Sequence, residues 1–448
     1  MSTLLIRNAD LVVTMDEDRR EIPDGGLFAR DGVLVAVEPT ADLPRMADHV
    51  IDASGCVVTP GLINTHHHLF QTLTRAVPGA QDAALFGWLR ALYPIWSKMG
   101  PEEIRISALV GLAELALSGC STAADHLYLF PNGARLDDEI DAAAQLGVRL
   151  HANRGAMSIG ESAGGLPPDS LVEDEAAILK DCLRVIEDFH DPEPGAMARV
   201  GVAPCSPFSV SEGLMRDAAA LARDKGVRLH THLAENDEDV AFSLERFGLR
   251  PGDWAESLGW TGPDVWHAHC VKLDPSEIAL FARSGTAVAH CPCSNMRLGS
   301  GIAPIRAMRD AGVTVGLGVD GSASNDGGNL LAEARAAMLL QRVAGGASAM
   351  AAREALEIAT LGGAKALGRD DLGALAHGKR ADAAIYDLRG VETAGAWDAV
   401  AALMLCGPLR ARDLVVEGRV VVAEGRIATL DLPMALERHR RLARRLAG

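Results

Sequence analysis

Thr59-Pro-Gly-Leu-Ile-Asn-Thr-His-His-His68 is the stretch on which the fold turns. It follows an apolar run, Cys56-Val57-Val58, that reads as a strand bounded by Pro60-Gly61. If the extended backbone continues, His66 and His68 lie two residues apart and share a face, while His67 points away. Two imidazoles on one face can share a metal. The stretch alone does not separate that reading from a polar loop, so the rest of the chain has to decide.

The 448 residues have room for a barrel of about 250 residues plus a second unit. With 48% hydrophobic and 23% charged residues, the chain is globular with a large core. A net charge of −17 argues against a nucleic-acid partner, because nothing offsets phosphate repulsion. No run approaches the roughly 20 apolar residues of a membrane span, so no membrane partner is expected. Neither is a signal peptide, since acidic residues follow the first few positions without an apolar core. The eight cysteines are scattered, with no CxxC pair, which fits reduced thiols in a cytoplasmic protein. A homo-oligomer is the expected form.

Up to about residue 58 the chain carries short alternating runs at 4–6, 11–14, 32–37 and 49–52, with Gly25-Gly26 and Asp31-Gly32 read as turns. The same texture returns in Ala381–Asp387 and Asp413–Val422, where Glu417-Gly418 is the counterpart of Asp31-Gly32. Isolated hairpins are marginal in water, so the two ends are expected to build one small β-sandwich, residues 1–58 joining 371–448. Between them, 59–370 alternates strands with helices. After the histidine strand, strands are expected at 121–126, 147–154, 199–204, 227–232, 265–269, 286–290 and 313–320, with helices at 101–119, 211–225 and 275–284 among others. Eight strands is the number that closes a (β/α)8 TIM-like barrel, an α/β fold. The basic segment 436–446 reads as a packing helix.

Several of these strands end in a histidine or aspartate. In such a barrel the C-terminal strand ends form the active-site face, so His66, His68, His232, His269 and Asp320 would converge, with Glu235 three residues past His232. Imidazoles with a carboxylate suit Zn²⁺, and Fe²⁺ fits the same donors. One such histidine would be an ordinary hydrogen-bonding residue; five strand-end positions make that reading poor.

These motifs carry a resemblance. Pro60-Gly-Leu-Ile-Asn-Thr-His-His-His, His232-Leu-Ala-Glu, Ala268-His-Cys-Val, Ala289-His-Cys-Pro-Cys-Ser-Asn and Gly318-Val-Asp-Gly-Ser-Ala-Ser-Asn resemble the amidohydrolase superfamily in its aminohydrolase and deaminase branch. Leu372-Gly-Ala-Leu-Ala-His-Gly-Lys-Arg-Ala-Asp is similar to that family's return into its composite sandwich, so the likeness spans nearly the whole chain. It implies His66, His68, His232 and Asp320 as metal ligands, with Glu235, His269 and Asp320 catalytic. Binuclear relatives hold a modified lysine on the fourth strand. Arg199-Val-Gly-Val-Ala-Pro-Cys205 has none, which implies one metal.

More narrowly, His68-Leu-Phe-Gln-Thr-Leu-Thr-Arg and Leu85-Phe-Gly-Trp-Leu-Arg-Ala-Leu-Tyr-Pro-Ile-Trp96 resemble bacterial 8-oxoguanine deaminases, near isoxanthopterin and hydroxy-triazine aminohydrolases. The implied substrate is a free heterocycle, and Gln71, Trp96, Tyr128 and Cys205 are candidates to bind it. Gln71 both donates and accepts, and so suits a ring carbonyl and its N–H; Trp96 and Tyr128 also suit a core, and Cys205 an inert buried thiol. The expected chemistry is hydrolytic deamination: a metal acidifies a water, Asp320 takes its proton, His269 steadies it and Glu235 carries a proton to the ring nitrogen. Release of alkylamine or chloride from a triazine is the alternative within enzymes. A silent scaffold with a structural metal is the alternative outside them, and Glu235, which no metal requires, speaks against it.

Overall fold

A computed structural model describes residues 2–448. Eight parallel strands close a barrel in chain order: Leu62–Asn64, Cys120–Leu127, Arg149–Ala156, Ala198–Pro204, Arg228–Leu233, Val265–His269, Ala287–His290 and Val315–Leu317. Each overlaps an expected strand. Cys120–Leu127 and Arg149–Ala156 are buried at every position, as strands covered on both faces must be. The helices between them are set by local chemistry. Pro101–Leu117 starts on Pro101, with the Glu103 carboxylate accepting from Gly100 N at 3.0 Å. Beyond its end Gly119 sits at φ 93°, where an added Cβ would strike the Tyr386 hydroxyl. Glu212–Lys225 is capped by Ser211, whose hydroxyl accepts from Leu214 N at 2.9 Å.

Both chain ends enter one nine-stranded sheet. From edge to edge it runs Arg426–Ile427, Arg419–Ala423, Asp413–Val416, Ala383–Asp387, Cys56–Pro60, Thr3–Val13, Glu21–Arg30 and Val33–Pro39, with His49–Asp52 also paired to Thr3–Val13. The sheet curls on itself: Ile6, Leu27 and Leu34 share one core with Ala383, Ile385 and Val415. The curl brings Gly418 of one hairpin turn against Gly32 of the other, and Asp31-Gly32 and Glu417-Gly418 both have positive φ at each residue, as the sequence suggested.

Two expectations need correcting. The runs at 4–6 and 11–14 are halves of a single strand, bent by a bulge where Asn8 takes φ 61°. Gly25 and Gly26 are not a turn but lie inside Glu21–Arg30. Glycine is needed there for closeness: a Cβ on Gly25 would meet Ile22 O at 2.7 Å, and one on Gly26 would meet Ile6 O.

Barrel and sheet are bolted together by Arg149, fully buried at the start of the third barrel strand. Its guanidinium grips Asp382 through both carboxylate oxygens, at 2.9 and 3.1 Å, and also meets Glu417. The C-terminal helix Leu432–Ala447 packs as expected, burying Ala435, Leu442 and Leu446, with Arg438 on Glu102 and Arg445 on Glu103. Among the described residues, no helix is long and apolar enough to cross a membrane.

Candidate active site

The first barrel strand stops at Asn64, and the next four residues run over the barrel mouth. Thr65 N still bonds Leu317 O at 2.8 Å, and His66 O accepts from Asp320 N at 3.1 Å. The rings of His66 and His68 therefore lie together, centroids 4.7 Å apart, while His67, equally buried, lies toward Gly111 of the helix Pro101–Leu117. Around them stand His232, His269 and Asp320, from the ends of the fifth, sixth and eighth strands. His66 Nε2 and His68 Nε2 are each 3.3 Å from Asp320 Oδ1, and His68 Nε2 is 3.1 Å from His232 Nε2. Donor atoms of His66, His68 and Asp320 lie within 4.8 Å of one another, as do those of His66, His232 and His269.

Backbone conformation helps to aim these side chains. Ala234, His269, Cys270 and Asp320 all adopt positive φ, at 50°, 71°, 51° and 62°. Each departure costs energy for a residue with a Cβ, and such strain concentrates where a functional geometry has to be held.

The donor set can be tested for a metal through its protons. His68 Nδ1 faces His126 O at 2.7 Å and His232 Nδ1 faces Cys205 O at 2.6 Å. A carbonyl only accepts, so each Nδ1 carries the hydrogen and each Nε2 is a bare lone pair. Two bare lone pairs 3.1 Å apart repel unless a cation lies between them. His66 Nε2 is likewise buried without a hydrogen-bond partner. Burial lowers the His66 imidazole well below its ordinary value and His232 to about 3, so both stay neutral. Burial would raise Asp320, but the neighbouring His66 imidazole and the charge of His269 outweigh that and hold it well below its ordinary value, ionised. Neutral imidazoles with a carboxylate are the donors a divalent cation takes.

Residues 57–421 match the amidohydrolase family. The chain is 46% identical over 424 residues to the 8-oxoguanine deaminase of Pseudomonas aeruginosa, covering 94% of each. It is 38% identical to the hydroxydechloroatrazine ethylaminohydrolase of a Pseudomonas species, over 96% of this chain and 93% of that one. Among solved structures, the zinc complex of atrazine chlorohydrolase from Arthrobacter aurescens superposes with a TM-score of 0.93 at 37% identity, over 98% of this chain and 100% of that one. The chain belongs to the amidohydrolase family. It is accordingly a hydrolase acting on C–N bonds.

In this amidohydrolase the candidate metal centre floors a pocket lined by His68, His232, Glu235, His269 and Asp320. Glu235 and His269 stand at its side, with Glu235 Oε2 3.7 Å from His269 Nε2 and its other oxygen 3.5 Å from the Ser300 hydroxyl. Burial pushes Glu235 up to about 7. His269 is raised: burial opposes its charge, but Glu235, Asp320 and a 3.0 Å hydrogen bond from its Nδ1 to Asn295 favour it.

Of the four candidate substrate contacts, Tyr128 and Cys205 line the pocket. Gln71 and Trp96 lie outside the lining. Gln71 is fully buried behind Tyr128, its carbonyl accepting from Ala323 N at 3.2 Å and its amide nitrogen 3.5 Å from the Tyr128 hydroxyl. Trp96 donates to the Thr74 hydroxyl at 3.1 Å and packs edge-on to Phe70 and Trp88. Sequence reasoning missed Leu85, Trp88, Leu89 and Tyr93, which wall the pocket from the helix Leu85–Trp96, and Phe208 opposite them. Their helical spacing was the available signal, since 85, 88, 89 and 93 share one face.

Proposed function

We propose that the chain is a mononuclear, metal-dependent aminohydrolase that deaminates a free oxopurine, with 8-oxoguanine the leading substrate, giving urate and ammonia. The observation that carries the metal-dependent part is the approach of His66 and His68 Nε2, each 3.3 Å from the Asp320 carboxylate, with the bare Nε2 of His232 3.1 Å from that of His68. These four residues would hold the metal, Zn²⁺ before Fe²⁺ on the chemistry of the donors. A divalent cation bound there lowers the pKa of a water toward neutrality.

The remaining steps belong to side chains. Asp320, kept ionised, takes the proton of the water as its oxygen joins the amino-bearing ring carbon. His269, steadied by Asn295, balances the developing charge. Glu235, with its raised pKa, holds a proton near neutral pH and delivers it to the adjacent ring nitrogen. Asp320 then passes the proton it took to the amino group, the C–N bond breaks and ammonia departs, and the hydroxyl proton left on the new oxygen returns to Glu235 as the carbonyl forms. Trp88, Tyr93 and Phe208 present apolar faces suited to a planar ring, and the Tyr128 hydroxyl, backed by Gln71, is the donor placed to meet a ring carbonyl.

The 46% identity to an 8-oxoguanine deaminase supports the oxopurine. The 38% identity to a hydroxydechloroatrazine ethylaminohydrolase keeps the triazine reading, and 37% identity to an isoxanthopterin deaminase keeps isoxanthopterin as a third heterocycle. Reduced cysteines and a cytoplasmic homo-oligomer are part of the same proposal. A panel of 8-oxoguanine, guanine, isoxanthopterin, cytosine and hydroxy-triazines, assayed for ammonia and alkylamine, tests it. Ammonia from 8-oxoguanine with the highest kcat/KM is expected, and exclusive alkylamine release would replace it with the triazine reading.

A further inference from the structure

His66 differs from its two neighbours in the candidate metal centre. His68 and His232 give their Nδ1 protons to backbone carbonyls, whereas His66 Nδ1 lies 2.8 Å from a side-chain atom, Nε2 of His230. His230 in turn places its Nδ1 2.9 Å from Trp266 O. The carbonyl can only accept, so the His230 hydrogen sits on Nδ1 and its Nε2 is a lone pair. That lone pair obliges His66 to carry its hydrogen on Nδ1, which leaves His66 Nε2 bare and facing Asp320. A doubly protonated His230 would break this chain of inference. It is excluded by its surroundings: the ring is fully buried among His66, His126 and Trp266, and the Arg228 guanidinium also lies over that indole, 5.8 Å from its centroid, so a charge there would be uncompensated.

We infer that His230 is a positioning residue for the metal centre: it fixes the tautomer and orientation of His66 by accepting its Nδ1 proton, with Trp266 as the anchor of the relay. Trp266 holds the assembly at two points. Its ring stacks on His230 at 4.5 Å and 18°, and its indole N–H donates to Thr65 O at 3.0 Å, on the residue preceding His66. The spacing has a simple origin. His230 and His232 are two residues apart on the fifth strand, so both point into the barrel, one directly beneath the other. The upper ring joins the donor cluster and the lower one holds its neighbour in place. The inference rests on the proposed metal centre and deepens it. Because His66 is held through a side chain, it is the member of the histidine set whose support a substitution can remove.

The test compares His230→Gln, which keeps an acceptor near the Nε2 position, with His230→Met, which has nearly the same length and none; packing losses common to both then cancel. Zinc affinity is measured by competition with a chelator, and the absorption bands of the cobalt-substituted full-length protein report ligand geometry independently of turnover. Wild type should bind zinc, the Met variant should bind about 10–100-fold more weakly with shifted cobalt bands, and the Gln variant should recover most of both. His230→Phe, which keeps a ring, takes the place of the Met variant if that one does not fold. Wild-type affinity and bands in the variants without an acceptor would overturn the relay and leave the metal centre standing, as would equal losses in the Gln and Met variants. A wild-type protein that binds no zinc would bring down the proposed metal centre itself.

Discussion

At the scale of single residues, Glu235 separates a catalyst from a scaffold. It is buried beside the donor cluster, yet the cluster's donors are complete without it, and its burial carries a cost. Glu235→Gln keeps the shape and removes the exchangeable proton. Turnover should fall by about 10²–10⁴-fold in kcat and in kcat/KM while metal content is retained; wild-type turnover in the metal-replete variant would remove Glu235 from proton transfer. The same substitution has a pH signature in stability. The Glu235 carboxyl is raised from an ordinary value of 4.5 to about 7, so between these values the folded protein binds more protons than the unfolded chain. Stability is therefore lost as pH rises through that window. In metal-free protein Glu235→Gln should unfold at higher denaturant than wild type at pH 8, by on the order of 2–3 kcal/mol, with the gap closing toward pH 5. A gap of the same size at both pH values would contradict it. At this scale strand-end histidines are readable because alternation and a terminal position define where they point. Gln71 reads as a pocket contact because its chemistry suits a carbonyl; nothing in its local sequence shows that Ala323 N, some 250 positions away, already occupies its oxygen.

At the scale of elements, the helix Leu85–Trp96 does what no strand end can, covering the barrel mouth with an aromatic wall. Trp88 is fixed from outside the pocket, its indole N–H donating to Ala323 O at 2.8 Å, so the ring is presented at little further entropic cost. Trp88→Ala should raise KM on the order of ten-fold with zinc content unchanged, and an unaltered KM would take this helix out of substrate binding. Residues 85–96 are rich in aromatic side chains, but which of them faces the pocket depends on how the helix lies across the barrel. That is a tertiary fact, and it is why the sequence points to Trp96 in place of Trp88. The long terminal strand reads as two for a related reason: its bulge at Asn8 interrupts the period-two pattern that would join the halves. Gly25-Gly26 reads as a turn because close backbone approach and turning both ask for glycine.

At the scale of the whole molecule, eight strand signals in alternation with helices are enough to imply the closed barrel, and matching hairpins at the two ends imply their shared sheet. The bond between those bodies is not readable. Arg149 and Asp382 are separated by more than half the chain, and nothing local to either announces the other. Removing one partner strands a buried charge, so Asp382→Ala should destabilise the protein by about 3–5 kcal/mol in chemical denaturation. A change within the scatter of surface substitutions would show that barrel and sheet hold together without this bridge. All three scales meet in the proposed metal centre, in which one metal gathered by distant strand ends would make this amidohydrolase a deaminase. The most direct measurement is a titration of metal-free protein with zinc, following ammonia released from 8-oxoguanine. Activity is expected to rise linearly and break at about one equivalent per chain. A break at two equivalents, or turnover indifferent to zinc, would contradict the proposed metal centre.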